Sequence, residues 1–96
     1  MDIDSLSFET ENFVRSGAKQ SGRSFLVIFR PAQPPVCTEL EAGIGIQNFL
    51  INAVKMAAAP GVDGVSLLQF NGVEVRAHLI NATNQRSQVF SLPADT

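Results

Sequence analysis

The dipeptide Asn71-Gly72 constrains this chain most. It stands between two runs, "VSLLQF" and "VEVRAHLI", in which apolar residues alternate with others. Alternation with a period of two is the mark of a strand with one buried face, and Asn-Gly favours a two-residue hairpin turn of type I′. With Asn71 and Gly72 as the loop, Phe70 falls opposite Val73, Leu68 opposite Val75 and Ser66 opposite Ala77. Leu68, Phe70, Val73, Val75, Ala77 and Leu79 then share a core face. Val65, Leu67, Gln69, Glu74, Arg76, His78 and Ile80 share the other, which is mixed in character. After the polar segment 81–86, "SQVFSLP" brings Phe90 and Leu92 into the same core phase, and Pro93 ends the run. The expectation is a three-stranded antiparallel meander.

Upstream, one helix is expected. Thr38 and Glu41 have capping-box spacing. Leu40, Ile44, Leu50, Ile51, Val54, Ala57 and Ala58 recur at roughly helical intervals, and Pro60-Gly61 stops them. Gly43 and Gly45 weaken the first turns or delay the start to about Ile46. Ile46, Phe49 and Met56 widen the apolar side past the usual stripe, so the helix is expected to bury two faces. "SFLVIFR" (24–30) reads as a central strand, apolar on both sides. "PAQPPV" reads as an extended connection. In the first fifteen residues a strand with Leu6 and Phe8 inward is favoured over a short helix burying Phe13 and Val14. The fold class is α+β: an antiparallel sheet of four to five strands with one main helix packed on one face, in the order β-β-α-β-β-β.

Ninety-six residues make a single domain, 1–96, with a small core. The net charge of −2 neither draws nor strongly repels nucleic acid or membrane. The start, "MDIDSLSFET", is acidic rather than apolar. No apolar run reaches the ~20 residues that cross a bilayer. One cysteine, Cys37, cannot make an internal disulfide and suits a reducing compartment. A cytoplasmic protein is expected, with no membrane partner.

"GAKQSGRS" (17–24) nearly fits the phosphate-loop pattern GxxxxGK[ST], with Arg23 in the lysine position. That motif needs a helix after it, to aim backbone N–H groups and a dipole at the anion. A strand pattern follows here instead, so a flexible hairpin loop or a basic contact loop is expected. The basic residues of the region, Arg15, Lys19, Arg23 and Arg30, are the candidates for contact with a partner or an anion.

Catalytic sets are scarce. His78 is the only histidine, and it falls on the outer face of its strand. Cys37 before a helix cap would have a lowered pKa, which makes a Cys37–His78 pair conceivable; the plainer reading is a small buried cysteine and a surface histidine. Glu9, Glu11, Glu39 and Glu41 read as solvated charge, with Glu41 also capping. No metal-ligand spacing and no cofactor motif is present, so no metal, no cofactor and no enzymatic activity are expected. The absence of Trp and Tyr disfavours single-strand nucleic-acid binding without removing it.

One helix cannot cover both faces of a sheet. Unless the N-terminal segment covers the second face, another chain does. Ile46, Phe49, Met56, Leu26, Ile28, Leu67 and Ile80 are the candidates for an apolar interface, with a homodimer as the expected assembly. The function expected by subtraction is a small inhibitor or adaptor that occupies another protein's surface, the character of proteins encoded by phages or mobile elements. A nucleic-acid- or phosphate-ligand-binding module using residues 15–30 is the alternative. Steep loss of affinity with salt would mark the second; weak salt dependence and a negative heat-capacity change would mark the first.

Overall fold

A computed structural model describes residues 1–16, 23–41 and 46–92. The elements run α1 (Ile3–Ser16), β1 (Ser24–Arg30), β2 (Gln33–Leu40), α2 (Ile46–Ala57), β3 (Gly64–Asn71), β4 (Glu74–Ile80) and β5 (Gln85–Ser91). The strands form one five-stranded sheet in the order β2-β1-β3-β4-β5, and all neighbours pair antiparallel. The expected α+β class holds, with a helix before the first strand and β2 where an extended connection was expected. Since β2 and β3 both oppose β1, they run parallel to each other. The stretch β2-α2-β3 is thus a crossover unit with β1 inserted between its strands.

The meander is built as the alternation requires, with one adjustment. Phe70 pairs with Val75 and Leu68 with Ala77, while Asn71 pairs with Glu74. The two-residue loop is therefore Gly72-Val73, not Asn71-Gly72. Gly72 has φ +63°, whereas Val73 is not among the positive-φ residues. Positive φ at the first central position alone is the type II′ pattern, which asks for glycine there and spares both Asn71 and the β-branched Val73. The slip moves each partner by two residues, so faces are preserved. Leu68, Phe70, Val75, Ala77 and Leu79 are buried as expected, while Val73 is exposed at the turn. Asn81 closes the β4–β5 turn: its side-chain oxygen accepts from the N–H groups of Thr83 and Asn84, and its amide donates to the Met1 carbonyl.

The N-terminal segment is helical, against the favoured strand reading. Asp2 caps it, its carboxylate accepting the Ser5 N–H at 2.7 Å, and this bond lowers the Asp2 pKa. Leu6, Thr10 and Val14, spaced four apart, form the buried stripe, while Phe8 points to solvent at 62% exposure. The polar Thr10 is buried because its hydroxyl pairs with that of Ser66 on β3 at 2.6 Å. Helix α1 covers one sheet face, packing with Val27, Phe29, Leu68, Leu79 and Phe90. The edge-to-face pair Phe13–Phe29 closes one end.

Helix α2 covers the opposite face through Ala53 and Ala57, which sit on Val65, Leu67 and Ile80. Thr38 lies inside β2, so it caps nothing, and the helix begins at Ile46. Gly61, with φ +81°, lies in the turn that follows it. The helix buries one face, not two. Ile51 is 60% exposed and Val54 41%, and Met56 is also exposed.

The β1–β2 hairpin is irregular. Pro31-Ala32 forms its turn, with Ala32 at φ +54°, a conformation better suited to glycine. Ile28 pairs with Val36 and Arg30 with Gln33, so Pro34 and Pro35 together oppose Phe29 in a bulge. Bulges on edge strands are where proline, lacking an N–H, is tolerated.

Candidate interaction surface

Strand β2 is the open edge of the sheet. Every residue from Gln33 to Glu39 is exposed, and Leu40 is half-buried. Among the described residues the closest backbone contacts of both helices are with β3 and the strands beyond, and of β2 only Leu40, at its end, packs into the cluster beneath α2. The register fixes its faces. Val36, Thr38 and Leu40 pair with Ile28, Leu26 and Ser24, on the α2 side. Cys37 and Glu39 pair with Val27 and Phe25, on the α1 side. From Pro31 to Thr38 the chain holds no charged side chain. The opposite edge, β5, is tied to α1: Arg86 donates to Asp4 at 2.8 Å, and Ser7 donates to the Gln88 amide oxygen.

Among the sequence-derived interface candidates, Leu67 and Ile80 are core residues. They are 0% and 1% exposed beneath α2, so no partner reaches them. Leu26 and Phe49 are half-buried against the same cluster. Ile28 is half-buried beside Val36, and Met56 is exposed. Ile46 opens α2, and its side chain lies outside the described residues. Part of the apolar surface assigned to a second chain is thus covered from within by α2, while α1 covers the opposite face. Missed in the sequence was the β2 edge itself. Its signal was the alternation Val36, Thr38, Leu40, hidden behind two prolines.

The basic residues do not gather into one patch. Arg15 pairs with Glu11 one helical turn back. Arg23 pairs with Glu39 across the β1–β2 ladder. Arg30, at the other end of β1 from Arg23, donates to the Pro34 carbonyl, and its buried Nε has no partner. Lys19 and the rest of 17–22 lie outside the described residues. Strand β1 follows directly at Ser24, which leaves a phosphate loop without its helix.

Cys37 and His78 lie on opposite faces of the sheet, with β1 and β3 between their strands. They cannot form a catalytic pair. Cys37 is exposed rather than the small buried cysteine expected, and the partial desolvation of its thiol raises its pKa, against the expected lowering at a helix start. Burial, aided by the Arg76 charge, pulls the His78 imidazole below its ordinary value, and its Nδ1 shares a hydrogen bond with Ser87. No group of three or more His, Cys, Asp or Glu side chains suited to a metal occurs among the described residues. Likewise no described helix is long and apolar enough to cross a membrane.

An open groove of about 450 Å³ lies at the hairpin end of the sheet. The cross-strand row Ser24–Gln69–Arg76–Val89 crosses it, with Arg23, Asn71 and Glu74 at its margins. Its two arginines, Arg23 and Arg76, are offset by Glu74 within it and by Glu39, which holds Arg23, so it has no dominant sign of charge. No protein-family model, curated protein or solved structure matches the chain.

Proposed function

We propose that the protein is a non-enzymatic interaction module, an inhibitor or adaptor that engages another protein by offering the β2 edge for strand addition. The observation that carries this reading is an edge strand exposed on both faces, uncharged from Gln33 to Thr38, and uncovered among the described residues. Native sheets usually blunt such an edge with charge, bulges or a covering element. Here the bulge at Pro34-Pro35 guards only the first half. Main-chain hydrogen bonds from an added strand supply affinity, and alternate side chains supply selectivity. On the α2 side, Val36 and Ile28 provide an apolar step for the incoming strand.

The phosphate-ligand reading gains no support from the geometry. Arg15 and Arg23 are held by carboxylates, and Arg23 and Arg30 stand at opposite ends of one strand.

The test is affinity capture from the source cell's lysate with three full-length baits: wild type, Val36→Lys and Ile51→Lys. A charge at Val36 blocks the edge, whereas one at Ile51 alters only the outer face of α2. A protein held by wild type and Ile51→Lys and lost with Val36→Lys is the expected result. Retention by a folded Val36→Lys bait overturns edge docking.

A further inference from the structure

We infer that the β2 edge also accepts a second copy of this chain, forming a two-fold antiparallel β2–β2 contact centred on Thr38. This rests on the proposed reading that the edge is open for strand addition.

Three observations carry the assignment. The first is where the prolines stop. Pro34 and Pro35 occupy the bulge, and the proline-free ladder of β2 runs from Val36 to Leu40. A two-fold contact uses that whole segment only if its midpoint, Thr38, lies on the axis. Isologous contacts require residue i to meet j while j meets i. With Thr38 central, Val36 meets the second copy's Leu40, Cys37 meets the second copy's Glu39, and Thr38 meets itself.

The second is the side-chain pattern this register creates. On the α2 side it sets Val36, Thr38 and Leu40 against Leu40, Thr38 and Val36: two apolar pairs around a Thr–Thr pair, both favourable cross-strand combinations. On the α1 side Glu39 meets a neutral cysteine, not a second glutamate, so no like charges are directly opposed.

The third is the charge at the two ends of the edge. Glu41 stands at its C-terminal end, beyond Glu39, which Arg23 already holds within the chain. Arg30, whose guanidinium donates only to the Pro34 carbonyl and meets no carboxylate among the described residues, stands at the other. Antiparallel pairing turns the acidic end of one copy toward the basic end of the other.

The contact is small. Five residues a side fall short of the ~1,200 Å² typical of stable complexes, so association is weak and reversible. Self-pairing would mask the edge until a better strand displaces the second copy.

The experiment is sedimentation of the full chain across concentrations up to the millimolar range, for wild type, Thr38→Lys, Thr38→Glu and an equimolar mixture of the two variants. Thr38 is exposed, so both variants keep the fold. Wild type is expected to show a concentration-dependent dimer. Each variant places like charges on the axis and raises the dissociation constant about fivefold or more. Mixing them sets Lys against Glu and restores the dimer, an outcome misfolding cannot produce. A wild type monomeric throughout, a dimer indifferent to both variants, or a mixture that stays monomeric each overturns the assignment. The two readings fail separately. A monomeric wild type whose captured protein is lost with Val36→Lys removes the second copy and keeps edge docking. A Thr38-dependent dimer whose captured proteins all ignore Val36→Lys keeps the self-contact and removes the foreign partner.

Discussion

The two helices cover opposite faces of one sheet by different means. Helix α1 is fastened. A capping aspartate fixes its start, Leu6 is fully buried, and Thr10 shares a buried hydroxyl bond with Ser66. At Gly64 the backbone approaches so closely that an added Cβ would lie 2.8 Å from Leu6 Cδ1. Helix α2 rests on the sheet through Ala53 and Ala57, with Phe49 and Leu50 half-buried beside them, and leaves Ile51 and Val54 in solvent. The helix richer in apolar residues is the one that leaves more of them exposed. A count of apolar residues therefore does not tell which segment anchors the fold; shape and polar pairing at the contact decide it.

The comparison breaks first at Leu6. Leu6→Ala removes a fully buried side chain and should cost about 2–5 kcal/mol, read from the urea midpoint. Ile51→Gln on α2 should stay within about 0.5 kcal/mol. Equal losses at the two sites would mean that α2 anchors the domain as firmly as α1. Gly64→Ala is the next probe. It forces Leu6 out of its rotamer at a cost of about 1–3 kcal/mol. In the Leu6→Ala background most of that cost should vanish, and a double-mutant cycle measures the coupling.

Ser66→Ala strands the Thr10 hydroxyl in the core and should cost about 1–2 kcal/mol. Adding Thr10→Val should recover part of that loss in thermal melts, since a matched apolar pair leaves nothing unsatisfied. The last probe lies away from both helices, at the β1–β2 turn. Ala32→Gly relieves a positive φ and should raise stability by up to about 1 kcal/mol. A loss there would show that the β1–β2 turn is set by more than its backbone angles.

Sequence pattern revealed the elements whose periodicity agrees with their burial. The meander and β1 are of this kind, whereas α2 was legible from its helical spacing and its Pro60-Gly61 stop although Ile51 and Val54 of its expected stripe are exposed. Helix α1 was hidden because Leu6 and Phe8 mimic strand alternation and because its buried stripe includes a threonine. Only the tertiary bond to Ser66 makes Thr10 a core residue. Strand β2 was hidden by Pro34 and Pro35, which read as a connection until the bulge gives them a place. The hairpin register slipped by two because Asn71 is a good turn residue that the II′ geometry does not need. At the surface, Leu67 and Ile80 looked like interface residues because alternation identifies a face without saying which helix lies on it. Residues 17–22 lie outside the described part, so the basic contact loop stays an expectation.

The insertion of β1 between β2 and β3 sets an order of assembly. Strands β3, β4 and β5 meet their neighbours through short turns and can associate early. Strand β1 meets β3 only after the whole of β2 and α2 has been looped out, since Ser24 pairs with Gln69. Such non-local closure is the slow part of folding. The β1–β2 hairpin is local, but it reaches the sheet only through β1. A chain still emerging from the ribosome would have made β1 long before its partner existed, with the apolar "FLVIF" of that strand waiting in solvent for β3 to arrive.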